Sequence, residues 1–440
     1  MTSVPIILSF SQILIVLAIC LYAIFKGHLE WLLGIYMAIG MAGGSGTYMF
    51  GPFAHTYVIL VALFVATIVH LSKRQDIKLF PPRDKWIVPW MIMWWVWIFL
   101  LIILFKPDNK TAILMSLIPR IIAPLPIILL FADDMNKIKN FAAAYILTTL
   151  FSGWKTLFYN YGISYSFLFG DLSLRQFGIY FLSGQNYHWF SYPFAISLIM
   201  ITTYYLYFKS SKIFRIILLI CAMNCIYFLF LSGSRQSVGS VIIVLIIMIS
   251  RDVFYSRKLK LGSIAILTGA IGIISLYILR VAPYLIVRTG EYGLIEAFNL
   301  VSGRLYAWTG GIKAFIGSPI WGTGFKYFGS HNLYIGTLAE QGLFGMGFLV
   351  GYLYFIFRLS QGIRVRKENN DERLWCLMFL SIIMFGLIHS MASGSVVSVW
   401  HLYWPVAFLW RLEYSVTESS SIHKGMMRGA QAVVLAGKTS

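Results

Sequence analysis

Apolar runs recur along the whole chain, separated by short polar stretches rich in Lys and Arg. Most are continuous rather than alternating. Most extend over roughly 18–22 residues, the length a helix needs to cross the ~30 Å hydrocarbon core of a bilayer. They predict helices near 4–25, 31–50, 54–72, 86–105, 111–131, 138–158, 191–208, 212–231, 237–250, 261–281, 331–357, 374–392 and 396–411. The 31–50 run contains Gly40, Gly43, Gly44 and Gly46 and is the weakest of these. The expected total is therefore about 12–13 transmembrane helices on hydropathy alone. A β-barrel would alternate apolar and polar positions instead. The pattern specifies an all-α polytopic membrane protein.

Composition supports this pattern. The chain is 59% hydrophobic and only 12% charged, with a mean hydropathy of +0.78, whereas a soluble domain carries about a quarter charged residues. A formal net charge of +19 would suggest a nucleic-acid partner in a soluble protein. Here the basic residues cluster in short loops, which is the signature of cytoplasmic loops. Assigning Lys73–Lys85, Lys137/Lys139, Lys209–Arg215, Arg251–Lys260 and Arg358–Arg373 to the cytoplasm gives one alternation of helices without contradiction. Two large loops, 159–190 and 282–330, are then left outside, the second just before the helix that begins near residue 331. Residues 1–413 form one transmembrane domain, followed by a polar, Ser-rich tail, 414–440, expected to be cytoplasmic and disordered. The first run, Val4–Phe25, lacks a basic n-region and is too long for a cleavable signal, so it is read as a retained helix. Cys20, Cys221, Cys225 and Cys376 all fall in apolar stretches and are read as packing residues. No internal repeat is visible, which weakens a secondary-transporter reading.

Positive charge on the outer side runs against the orientation rule and needs another reason. Loop 282–330 carries Arg288, Arg304, Lys313 and Lys326, with Arg280 at the end of the preceding helix. A phosphorylated lipid headgroup supplies that reason, because guanidinium makes bidentate, permanently charged contacts to phosphate oxygens. For Arg280 and Arg288 headgroup snorkelling is an equal alternative. Arg235 lies in Ser232-Gly233-Ser234-Arg235-Gln236-Ser237, at the start of a helix. A cation there is electrostatically unfavourable, which argues for an anionic partner. His331 opens the helix that returns into the membrane and is a candidate proton acceptor; the plainer reading is an interfacial polar anchor.

Arg175, Lys155, His188 and His389 are secondary candidates near the outer face. Arg120, beside Pro119 in an apolar run, either lines a pocket or sits in an internal ion pair. Arg288, Arg280, Arg120, Arg175, Lys326 and His188 are thus the candidate substrate-binding residues. Glu340 falls about two turns into the helix begun by His331 and is expected to be paired or protonated. Tyr159, Tyr161, Tyr165, Tyr187 and Trp189 can stack on sugar rings or serve in an interfacial belt, and Trp90, Trp94, Trp95 and Trp97 form a belt or packing surface. The histidines show no metal-ligand spacing, so neither metal nor cofactor is expected.

At these residues the chain resembles the bacterial O-antigen ligase/polymerase family of membrane glycosyltransferases. The matching elements are SGSRQS at 232–237, GRLYAW…IGSPIWGTGF at 303–325 and SHNLYIGTLAEQGLFG at 330–345. Beyond residues 225–350 or so the likeness is one of hydropathy. The resemblance implies a GT-C-like fold in the bacterial inner membrane, multi-pass, with the active site facing the periplasm. It implies an undecaprenyl-diphosphate-linked glycan as donor, used without nucleotide sugar, metal or cofactor. Carried onto this chain, Arg235 and Arg304 hold the diphosphate and stabilise its charge as it leaves, and His331 takes the proton of the attacking sugar hydroxyl. The partners implied are that donor, a glycan or lipid A–core acceptor, the bilayer and other polysaccharide-assembly proteins, with no nucleic acid.

Two family activities fit. A polymerase joins lipid-linked repeat units to each other; a ligase moves the finished glycan onto lipid A–core. The short interval between Arg304 and His331 favours the polymerase, since ligases often carry a longer insertion there. A lipid-linked glycan flippase or transporter would also need outer cations, but should show two comparable halves. Acyl transfer by a membrane histidine is a further reading.

Overall fold

The structure is a computed structural model. It describes residues 28–41, 54–72, 86–108, 135–161, 187–208, 210–232, 234–256, 306–325, 332–365, 370–391 and 402–413, with single residues at 18–26, 110–114 and 127. All regular structure among them is helical: α1 (Leu29–Met41), α2 (Ala54–Ser72), α3 (Ile87–Phe105), α4 (Met135–Tyr161), α5 (Tyr187–Tyr207), α6 (Lys212–Leu231), α7 (Arg235–Ser256), α8 (306–317), α9 (Leu333–Val365), α10 (Asn370–His389) and α11 (404–413). The expected helices at 4–25, 111–131 and 261–281, most of loops 159–190 and 282–330, and the tail 414–440 lie outside the described residues.

Three stretches, Lys212–Leu229, Leu333–Ile363 and Glu372–His389, are long and apolar enough to cross a membrane. The exposed faces carry a second sign. On α6, Ile213, Ile216, Ile217, Ile220 and Met223 are exposed at helical spacing, and on α3 so are Ile92, Val96, Leu100 and Ile103. A soluble helix turns such a stripe inward. A helix that turns it outward is solvated by lipid, and contiguous exposed apolar surface on this scale marks a membrane interface. The described residues are all-helical, and their apolar stretches and exposed apolar faces are those of a membrane protein.

The aromatic core explains how the helices are oriented. Phe379 of α10 stacks on Phe408 of α11 at 4.5 Å, and Phe141 of α4 meets Phe408 at 4.7 Å. α10 runs antiparallel to α5, since Trp375 meets Tyr204 and Phe208 while His389 meets Tyr192. α5 and α7 run parallel, joined by Ser191–Ser237 near their starts and by the Tyr207 hydroxyl donating to the Met248 carbonyl at 3.3 Å. The helix ends carrying Lys212 and Arg215, Arg251 and Arg373 therefore gather at one end of the bundle, and the SGSRQS segment lies at the other. Described ends of three of the five basic loops thus share one end of the bundle.

Two differences from the sequence reading have simple causes. Loop 282–330 contains a helix, α8, whose Gly310, Gly311, Gly317 and Lys313 interrupt any apolar run. In the basic stretch 358–373, residues 358–365 and 370–373 are helical, because α9 continues to Val365 and α10 begins at Asn370. Straight-chain Arg, Gln and Glu are good helix formers, so helices outlast their apolar segments.

Candidate functional site

The second and third sequence motifs meet at a break in α9. At Gly342 the backbone adopts φ 64°, ψ −159° inside the helix, a conformation open essentially to glycine alone. The break frees the carbonyls of Ala339 and Glu340 and the amide of Leu343. Residues 318–325, from IGSPIWGTGF, lie across it as a strap and satisfy all three. Thr323 N donates to Ala339 O at 2.8 Å, Gly324 N to Glu340 O at 3.0 Å, and Leu343 N to Pro319 O at 2.8 Å. In lipid no water would take over these bonds, so the protein must supply them. Gly322, at φ 71°, permits the approach, since a Cβ there would run into the Glu340–Gln341 backbone. Trp321 stacks on Trp97 at 5.5 Å and meets Phe344 at 5.4 Å, pinning the strap to α3 and α9. Below it, Trp94 Nε1 donates to Gln341 Oε1 at 3.0 Å. The Glu340 carboxyl is buried, and its Oε2 has no hydrogen-bond partner among the described residues. The glycines of these motifs thus build a structural joint.

The first motif builds a polar cluster where α5, α7 and α10 meet. Ser234 is the N-cap of α7: its carbonyl accepts from Val238 N at 3.1 Å and its hydroxyl from Ser237 N at 3.4 Å. Ser237 Oγ lies 2.9 Å from Ser234 Oγ, 2.5 Å from Ser191 Oγ and 3.2 Å from His389 Nε2. Gln236 Nε2 donates to the His389 carbonyl and lies 3.4 Å from His389 Nδ1. A ring whose Nδ1 accepts from this amide carries its proton on Nε2, which then donates to Ser237. Ser237 accepts from His389 and Ser234, leaving its own proton for Ser191. Ser191, Ser234, Ser237 and His389 are all fully buried, and the His389 ring stands edge-on to Tyr192 at 4.5 Å.

The turn after His389 reaches the start of α9. Leu333 N donates to Ser390 O at 2.9 Å and Asn332 Nδ2 to Met391 O at 2.7 Å. Asn332 is the N-cap of α9, its Oδ1 accepting from Tyr334 N at 2.9 Å and Ile335 N at 3.0 Å. α8 packs on the same turn, Gly311 facing Ile335 closely enough that a Cβ would clash with it.

Arg235 is the first residue of α7, and His188 lies in the first turn of α5; nothing further is described of either side chain. Arg304, His331, Arg280, Arg288, Arg120, Arg175 and Lys326 lie outside the described residues. Their described chain neighbours are informative: Asn332 follows His331, and Tyr306, two residues after Arg304, is exposed at the start of α8. His389, a secondary candidate from sequence, is central to the cluster. Ser191, Gln236, Ser237 and Asn332 were not singled out. The signal available for them was a polar residue in the first turn of an otherwise apolar helix. Among the described residues no group of His, Cys, Asp and Glu could hold a metal ion.

Compared with known proteins, the chain matches no family model and no curated sequence.

Proposed function

We propose that this protein is a multi-pass glycosyltransferase of the bacterial inner membrane, GT-C-like, with about 12–13 transmembrane helices and its active site on the periplasmic side. It transfers an undecaprenyl-diphosphate-linked glycan to a sugar hydroxyl, and we assign it as an O-antigen or surface-polysaccharide polymerase. The observation that carries the reading is the junction of two helix starts at one end of the bundle. α7, which opens with Arg235, is bonded to His389; α9, whose cap Asn332 follows His331, is bonded to Ser390 and Met391. The described chain neighbours of Arg235 and His331, residues 96 positions apart in the chain, thus bond to one turn, which supports the reading.

In the reaction the acceptor hydroxyl oxygen attacks the anomeric carbon of the donor glycan. The new glycosidic C–O bond forms as the bond to the diphosphate oxygen breaks, and undecaprenyl diphosphate leaves with the electron pair. Arg235 and Arg304 bind that diphosphate, and their fixed charge is worth most on the leaving oxygen in a dry site. His331 accepts the hydroxyl proton. Arg288, Arg280, Arg120, Arg175, Lys326 and His188 are assigned to substrate binding.

The test is lipopolysaccharide electrophoresis of a strain deleted for this protein and complemented with His331→Ala. The expected pattern is core bearing a single repeat unit, from both the deletion and the variant, with the variant present in membranes at normal amounts. A normal ladder from His331→Ala overturns the base assignment. Bare core with accumulated lipid-linked polymer reassigns the protein as the ligase. An unaltered ladder in the deletion strain overturns the glycosyltransferase reading.

A further inference from the structure

The three residues at the end of α10 make hydrogen bonds in two directions. Toward α7, the His389 ring and carbonyl take Ser237 and Gln236, the two residues that follow Arg235, and Ser237 in turn holds Ser234, the residue before it. Toward α9, the carbonyls of Ser390 and Met391 take Leu333 N and Asn332 Nδ2. Both helix starts are also capped internally, by Ser234 and by Asn332. Each therefore has a defined end that a third element can grip. The grip itself is stiff: His389 is fully buried, braced by Tyr192 at 4.5 Å and Phe385 at 5.7 Å. A polar network that merely satisfied itself could close within one pair of helices. This one draws on α5, α7, α9 and α10 and uses backbone carbonyls of a single turn for both starts.

We propose that His389, with the turn Ser390–Met391, is a positioning residue that sets the start of α7, which opens with Arg235, against the start of α9, whose cap follows His331 in the chain. The inference rests on the glycosyltransferase reading above. His389 holds the two starts without taking part in bond making or proton transfer. Transfer chemistry of this kind is sensitive to small displacements, a shift of about 1 Å costing on the order of 100-fold in rate. Loss of the clamp therefore lowers turnover far more than donor binding.

The experiment uses the full-length protein in lipid nanodiscs and lipid-linked glycan extracted from the deletion strain, with initial rates read as release of undecaprenyl diphosphate. His389→Ala is expected to lower kcat by about 100-fold while KM for the donor changes little. His389→Gln, whose amide can still donate to Ser237, restores most of the rate. Because His389→Ala could also loosen the fold, amide hydrogen exchange is followed in parallel. Faster exchange confined to 235–238, the start the His389 ring holds, supports the clamp; faster exchange throughout the helices overturns it as a specific device. Inactive Arg235→Ala beside fully active His389→Ala overturns the clamp and leaves the glycosyltransferase reading standing. Full activity in both variants overturns the reading on which the clamp rests.

Discussion

Replacing Gly342 by Ala tests the account of the broken helix most directly. The native φ of 64° with ψ −159° lies in a region that costs a non-glycine residue about 1–3 kcal/mol. The added Cβ would also fall less than 3.0 Å from Ile320 O, Ile320 C and Gly322 N. These are backbone atoms of the strap and cannot rotate aside as a side chain would. Relief requires the strap to lift, which breaks the bonds of Thr323 N, Gly324 N and Leu343 N, each worth about 1 kcal/mol net. The sum is about 4–6 kcal/mol of destabilisation, large against the margin of an ordinary fold.

Gly347 lies five residues along the same helix, and a Cβ there would meet nothing within 4 Å. Gly347→Ala should be neutral or gain up to about 1 kcal/mol from helix propensity. The assay is unfolding of each variant from mixed micelles by graded SDS, followed by far-UV circular dichroism. Gly342→Ala is expected to unfold at much lower SDS. Equal stability of Gly342→Ala and Gly347→Ala would refute the reasoning, since both add the same methyl group to the same helix.

Two further substitutions examine the polar contacts. Trp94→Phe keeps most of the ring but leaves the buried Gln341 Oε1 without the donor it has at 3.0 Å; a loss of about 1–3 kcal/mol is expected in the same SDS titration. Asn332→Ala removes the cap of α9 and the bond to Met391 O, for a loss of about 1–2 kcal/mol. Asn332→Asp keeps the accepting oxygen and should recover only the capping part, so identical stability of the Ala and Asp variants would count against Oδ1 as the cap.

The helices were legible because in a lipid-facing protein hydropathy and secondary structure carry the same information. The runs at 54–72 and 212–231 match α2 and α6 at both ends. Legibility failed where composition and conformation part company. α8 is cut by glycines and one lysine, and the ends of α9 and α10 are charged, so neither reads as an apolar segment. The joint at Gly342 was visible only as a glycine inside a helical pattern, which most often marks a tolerated weakness rather than a break. Its partner, the strap at 318–325, could be found only by the bonds it makes. The polar cluster was half legible. SGSRQS announced itself as a turn with an arginine, but Ser191 and His389 come from helices far away in the chain, and periodicity says which face a residue occupies without saying what it meets.

The chemistry of that cluster bears on what a cation beside it can do. Its members Ser191, Ser234, Gln236, Ser237, His389, Ser390 and Asn332 are joined by neutral hydrogen bonds, and none of them is a carboxylate. A carboxylate would have been the simpler way to anchor an arginine, but it would also neutralise it, and a paired guanidinium has little charge left for a phosphate. Caps, hydroxyls and backbone carbonyls fix the helix start that carries Arg235 while adding no formal negative charge. Elsewhere, between α1 and α4, the buried Glu30 carboxylate does serve as an anchor, accepting from Asn140 Nδ2 and His28 Nδ1, both at 3.1 Å. On the proposed reading, the uncharged members of this cluster set the start of α7 before a lipid diphosphate arrives.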